Sequence, residues 1–308
     1  MPIPAAGQPA FLRWFLSGRW RAGLAVTLTF GAAIFLPILL LPLWIGLLAM
    51  IALITVQAGR RESLEVLLIC GIAIGILSWK PQMAFFFAVA VWLPGRILGE
   101  ALRFRGWSTT LWALAAMGAA LLAVCLWGLP QGMGPLFWQK ELLQAVQPLR
   151  TDLTLQQLHA VKLSAPYIPG MLGLLLLLAG SMAAALASRW KGMLEAGSTP
   201  AARQFRNLEV PGGWIWALVA VLAAGLILTG QAAWACQNLV LFLGGFYLLQ
   251  GLSLVHLWLA VRGWPAWSLV VFYLLMVLLS QLVLPVTLLG ILDRFFHWHG
   301  KLAPHGQE

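Results

Sequence analysis

The chain has 308 residues, of which 61% are hydrophobic and 9% charged, against about 25% charged in ordinary soluble domains. That balance excludes a soluble globular protein and predicts an all-α, polytopic bundle of transmembrane helices. The net charge of +10 comes from Lys and Arg set one to three at a time between apolar blocks; this pattern orients a chain in a lipid bilayer and gives no basic run for nucleic acid.

A hydrocarbon core of roughly 30 Å takes about 20 apolar residues per helix. Eight apolar blocks bounded by charge, Trp, Pro or Gly stand out, at 24–56, 64–79, 83–98, 107–129, 167–188, 214–230, 235–261 and 264–292. The first is too long for one crossing and contains Pro37 and Pro42, each of which interrupts a helix. Read as two short crossings, it brings the total to eight or nine hydrophobic segments. Its length also exceeds the apolar region of a secretory signal, and no A-x-A-like cleavage site follows it, so it is expected to stay as the first membrane helix. At its start, Gly23, Thr27 and Gly31 of the first helix recur at spacing four, as do faces that let helices or a partner approach closely.

Placing the N-terminus in the cytoplasm and alternating sides puts thirteen Lys and Arg inside and six outside, as the positive-inside rule requires. On that orientation the segment 130–166 is an external, amphipathic loop. It reads as two helices separated by Pro148, the first burying Phe137, Leu142, Leu143 and Val146, the second carrying Leu155, Leu158 and Val161. Thr154 and Gln157 have the spacing of a capping box. The segment 189–213 reads as a basic cytoplasmic loop, with Gly197 to Pro200 as its turn. Nine crossings would leave the tail outside, but Pro285 splits the last block and gives it a way to fold back. Nine of the 17 Trp residues fall at block edges, among them Trp20, Trp79, Trp107 and Trp264, as in an interfacial aromatic belt. No internal repeat of clear period emerges.

A polar side chain in hydrocarbon is costly and is therefore a candidate for function. Arg96 and Glu100 are four residues apart, after Pro94-Gly95; they form either a functional ion pair or a pair at a helix end that reaches water. Gln250, Ser253 and His256 share one edge of the block 235–261, fit either to bind a ligand or to hydrogen-bond neighbouring helices. Asn238 lies at the same angle but about 27 Å away along the axis. Asp293 and His297 are also four apart, and His297 and His299 are spaced so that they point to different sides of a helix. No metal or cofactor is expected. Three lone cysteines offer no ligand set, and no G-x-x-x-x-G-K-S/T phosphate loop occurs. Catalysis would need titratable groups clustered at one depth, and with nine acids in the chain none is expected.

The stretch 247–256, Tyr-Leu-Leu-Gln-Gly-Leu-Ser-Leu-Val-His, and the stretch 289–296, Leu-Gly-Ile-Leu-Asp-Arg-Phe-Phe, together with the double N-terminal block, resemble the YybS-like family of bacterial multi-pass membrane proteins. That family is distantly similar to the substrate-binding S components of energy-coupling-factor transporters. The resemblance implies an inner-membrane, substrate-binding subunit that docks on a membrane coupling subunit and takes its energy from that partner. S components dock through an A-x-x-x-A pattern in the first helix, which Gly23, Thr27 and Gly31 only approximate. The alternative is a non-transporting assembly or scaffold protein of the envelope.

Overall fold

The computed structural model of the protein describes residues 9–104, 107–127, 134–147, 154–195 and 201–302, which form helices and connections with no strand. The helices are α1 (Ala10–Leu16), α2 (Arg19–Phe35), α3 (Leu40–Ala58), α4 (Arg60–Ser78), α5 (Pro81–Phe87), α6 (Leu93–Phe104), α7 (Trp107–Trp127) and α8 (Pro135–Val146). They continue with α9 (Leu155–Ser164), α10 (Ile168–Leu194), α11 (Ala201–Arg206), α12 (Trp214–Ile227), α13 (Gly230–Val261), α14 (Trp267–Leu278), α15 (Val283–Phe296) and α16 (Trp298–Leu302). The all-α membrane class expected from composition is what the chain adopts.

Among the described residues five helical stretches are long and apolar enough to cross a membrane: Pro37–Ala58, Pro81–Phe104, Trp107–Leu126, Leu155–Leu194 and Gly230–Val261. A sixth is a broken pair, Trp267–Leu278 with Ser280–Phe296, bent by 109°. The other hydrophobic segments are helices too, but of a different kind. The first turns of α4 carry Arg60, Arg61, Glu62 and Glu65, and α12 has 14 residues, about 21 Å of helix at 1.5 Å per residue.

The long first block does split at Pro37. Leu36 leaves the helix at φ −118°, ψ 75°, outside the α region that is disfavoured for a residue before proline. One 3-10 turn follows, and α3 then starts with Pro42 at its third position, where a missing N–H costs nothing. The last block takes the same shape without a proline at the break: Leu279, before Ser280, leaves the helix at φ −117°, ψ 79°, a 3-10 turn follows, and Pro285 is third in α15. Both sites read Leu-x-x-Leu-x-Leu-Pro, a short recurrence too brief to appear as a repeat period. Pro285 therefore begins the returning helix; the bend itself is six residues earlier.

Pro94 does not end its segment. The five residues before α6, Ala88–Trp92, form a π-helix, and this wider turn makes room for a proline ring that would otherwise strike the carbonyl four residues back. The segment 130–166 is not a separate loop at its far end, because α9 runs through a 3-10 turn at Ala165–Tyr167 into α10. Its capping box forms as the spacing predicts, with the Gln157 N–H donating to Thr154 Oγ1 at 3.2 Å and the Thr154 N–H to Gln157 Oε1 at 2.8 Å. Leu155, assigned to an apolar face, is exposed, and no residue of α8 or α9 is buried. Pro148, the expected break between them, lies outside the described residues. So do residues 196–200, the expected turn of the basic segment 189–213; its start is the end of α10, and Leu208 and Val210 near its far end are buried.

Contacts group the chain into two compact units, Met1–Leu114 with Leu178–Leu208, and Ala115–Leu177 with Glu209–Glu308. In the first unit, α1 to α5 bury a cluster that includes Leu12, Phe15, Phe30, Leu53, Ile54 and Phe87. There α3 packs on α6 through Gly95 and Gly99: a Cβ on Gly95 would lie 2.7 Å from Ile51 Cβ, and one on Gly99 would lie 2.7 Å from the Ala52 carbonyl oxygen. In the second unit α13 is the central element, and α12, α15 and α16 pack against it.

Candidate functional site

The second unit holds the largest buried polar cluster of the described chain, and glycines build it. A Cβ on Gly251 would collide with the carbonyl of Val286, and one on Gly290 with the carbonyl of Tyr247. α13 and α15 consequently meet backbone to backbone. The two stretches that carry the family resemblance are the two faces of this contact, and it sets Gln250 and Ser253 of α13 against Asp293 of α15.

Gln250, 2% exposed, donates from Nε2 to Asp293 Oδ2 at 2.8 Å and accepts from the Val210 N–H at 3.2 Å. Asp293 takes two further hydrogen bonds from the tail, from the His299 N–H to Oδ1 at 3.1 Å and at Oδ2 from His299 Nδ1 at 2.5 Å. The other ring nitrogen of His299, Nε2, lies 3.1 Å from Ser253 Oγ. Helical spacing alone pairs Asp293 with His297. The structure gives it His299 because α15 stops at His297, whose φ of 51° is left-handed; the helical count restarts there, and α16 turns His299 back onto α13.

Carboxylate, imidazole and hydroxyl stand in the order of a hydrolytic triad, with the carboxylate on Nδ1 and the hydroxyl on Nε2. Ser253 is fully buried in mid-helix and does not line the adjacent cavity, so no substrate carbonyl reaches Oγ in this conformation. The cluster instead satisfies itself: a buried carboxylate is tolerable only when paired and hydrogen-bonded, and Asp293 is both. His256, the third member of the polar edge, turns elsewhere, with Nε2 at 2.8 Å from the Tyr273 hydroxyl of α14.

Beside this cluster, between the C-terminal half of α13 and α14, α15 and α16, is a cavity of about 720 Å³. Leu254, Val271, Phe272, Leu275 and Leu289 form much of its wall, together with Trp258, Trp264 and Trp298. Among the described residues Lys301 is its one charged lining residue, and Ser268, whose hydroxyl donates to the Pro265 carbonyl at 2.7 Å, its one hydroxyl. His299 holds α16 in place through Asp293, so the polar cluster fixes one wall of the cavity.

Arg96 and Glu100 sit together on α6 but do not pair. Glu100 takes Arg60 of α4, whose Nε is 2.7 Å from Oε1, while the Arg96 guanidinium lies over the Trp92 ring at 5.0 Å. Gly23 and Thr27 are both buried, and a Cβ on Gly23 would come within 2.7 Å of Ile69 Cγ2. The close approach available to the Gly23–Thr27 face is made by α4 of the same chain, whereas Gly31 has nothing within 4 Å. Of the edge tryptophans, Trp20, Trp79 and Trp264 are exposed, as a belt requires; Trp107 is buried against Phe205.

Residues 144–294 match the family model described as predicted membrane protein (DUF2232). The chain is thus similar, over about half its length, to a family of membrane proteins without an assigned activity. The matched region contains Gln250, Ser253 and Asp293 and ends before His299. No curated protein and no solved structure shows significant similarity to the chain.

Proposed function

We propose that this protein is a transport-related, substrate-binding subunit of the bacterial cytoplasmic membrane, energised by a partner. The observation that carries the reading is the cavity of about 720 Å³, open on one side, between α13 and α14 to α16, within the roughly 300 to 1,000 Å³ of pockets for small ligands. The resemblance of 247–256 and 289–296 to the YybS-like family, and through it to S components, supports the same role, since these stretches frame one side of the cavity. The chain binds and does not catalyse; the burial of Ser253 supports that part of the reading. Energy must then come from outside, because the sequence has no phosphate-binding loop. Gly31, the open member of the small-residue face, is the point offered for docking a membrane coupling subunit.

The test is isolation of the chromosomally tagged chain from its own membranes in mild detergent. A second membrane subunit and nucleotide-hydrolysing subunits in fixed stoichiometry are expected, and Gly31→Leu is expected to release them. Recovery of the chain alone, from extracts in which other membrane complexes stay intact, would overturn the partner-energised role.

A further inference from the structure

We propose that the cavity of the second unit binds a single-chain anionic amphiphile drawn from the bilayer, with its alkyl chain among α13, α14 and α15 and its charged head on Lys301. The assignment rests on reading this unit as the ligand-binding part of the protein, and it names the class of ligand.

The lining decides against a polar solute. Vitamins and sugars bring several donors and acceptors, each of which must find a partner once out of water. Apart from Lys301, the lining side chains that can hydrogen-bond are the Ser268 hydroxyl, already donating to Pro265, and three indole N–H groups. What the walls offer is continuous aliphatic and aromatic surface, the partner of a hydrocarbon chain.

The charge decides the head. Among the described residues no carboxylate lines the cavity, and Lys301 is exposed. A second cation stands behind the lining, the guanidinium of Arg262 stacked 4.4 Å from the Trp258 ring centroid, and Trp258 and Trp264 face each other at 6.0 Å. A cationic head would be repelled here, and a neutral one would gain nothing from Lys301. Indoles and Lys are also the side chains that favour the interfacial depth at which a lipid head resides.

The full chain in phosphatidylcholine vesicles, probed with nitroxide-labelled stearate and with its methyl ester, gives the test by electron paramagnetic resonance. The wild type is expected to immobilise several-fold more of the stearate than of the ester. Lys301→Gln, at an exposed position that folding does not depend on, should bring stearate down to the level of the ester. Val271→Trp, which fills the cavity, should remove the immobilised component for both. Equal immobilisation of acid and ester, still removed by Val271→Trp, overturns the anionic class and leaves the ligand site standing. An immobilised component that neither variant changes overturns the ligand site itself. The partner measurement is independent of both results.

Discussion

Gly290 lies so close to Tyr247 that a Cβ on it would strike the Tyr247 carbonyl oxygen, and Gly251 stands in the same relation to Val286. The obstacle at each position is backbone of the neighbouring helix, which cannot rotate aside as a side chain can. Everything buried between α13 and α15 depends on that separation.

Gly290→Ala is therefore expected to destabilise the protein by at least the 1–3 kcal/mol, roughly, that overpacking costs, although Ala is the better helix former by about 1 kcal/mol. Gly46→Ala is the control, since Gly46 of α3 has nothing within 4 Å, and it should be neutral or slightly stabilising. Unfolding midpoints of the two variants in detergent, compared with wild type, decide the matter; equal midpoints would mean the helices do not pack this closely.

His299→Ala removes two of the groups around Asp293 Oδ2 and Ser253 Oγ while leaving the carboxylate buried. Leaving a buried carboxylate and hydroxyl short of a partner costs about 1–3 kcal/mol, against about 0.6 kcal/mol for an average hydrogen bond between membrane helices. The expected loss is nearer the larger figure, and the double variant with Asp293→Ala should recover part of it. A His299→Ala loss at or below the smaller figure would show that the tail is not held by this pair.

How much of this was legible beforehand follows from the range of the interactions. Features decided within a few residues were readable: the break before Pro37 and the capping box at Thr154, whereas the break in the last block falls at Leu279 and not at Pro285. Pairings across helices were not. Glu100 has Arg96 at helical spacing on its own element, but its partner Arg60 comes from α4, 40 residues away, and no periodicity reports that. Helical spacing points Asp293 to His297 and misses His299 for a local reason, because the left-handed φ of His297 resets the count. The signal that was available lay in the glycines. Gly251 follows Gln250, and Gly290 precedes Asp293 by one turn, so each polar residue sits beside a site where a second backbone can approach.

The charge asymmetry makes a separate expectation. With α15 returning to the side of Arg262, Arg294 and Lys301 join the thirteen inner Lys and Arg and four remain outside, so α8 should lie outside the cell. Gln144 on α8 is exposed, and Gln144→Cys should react with an impermeant thiol reagent in intact cells. Reaction only after the cells are opened would reverse the orientation of the whole chain.

Asn238 provides the last prediction, because one side chain there serves two sites of helix disruption at once. The junction of α9 and α10 contains Pro166 and Pro169, and the Gly170 N–H in the first turn of α10 has the orphan status of any early helix donor. Asn238 Oδ1 accepts it at 2.7 Å, and Asn238 Nδ2 donates to the Pro166 carbonyl at 3.1 Å and to the Trp234 carbonyl at 2.9 Å. Trp234 adds its own indole N–H to Pro166 at 2.6 Å. Asn238 is fully buried, so water does not replace a lost partner. Asn238→Ala should cost about 1–3 kcal/mol, the penalty for a buried polar group left unmatched. Asn238→Asp should cost more, since it keeps the acceptor for Gly170 but turns an anion toward two carbonyl oxygens. Thermal unfolding of both variants in detergent measures the order, and an Asp variant more stable than the Ala variant would show that the amide does not bridge the two helices in this way.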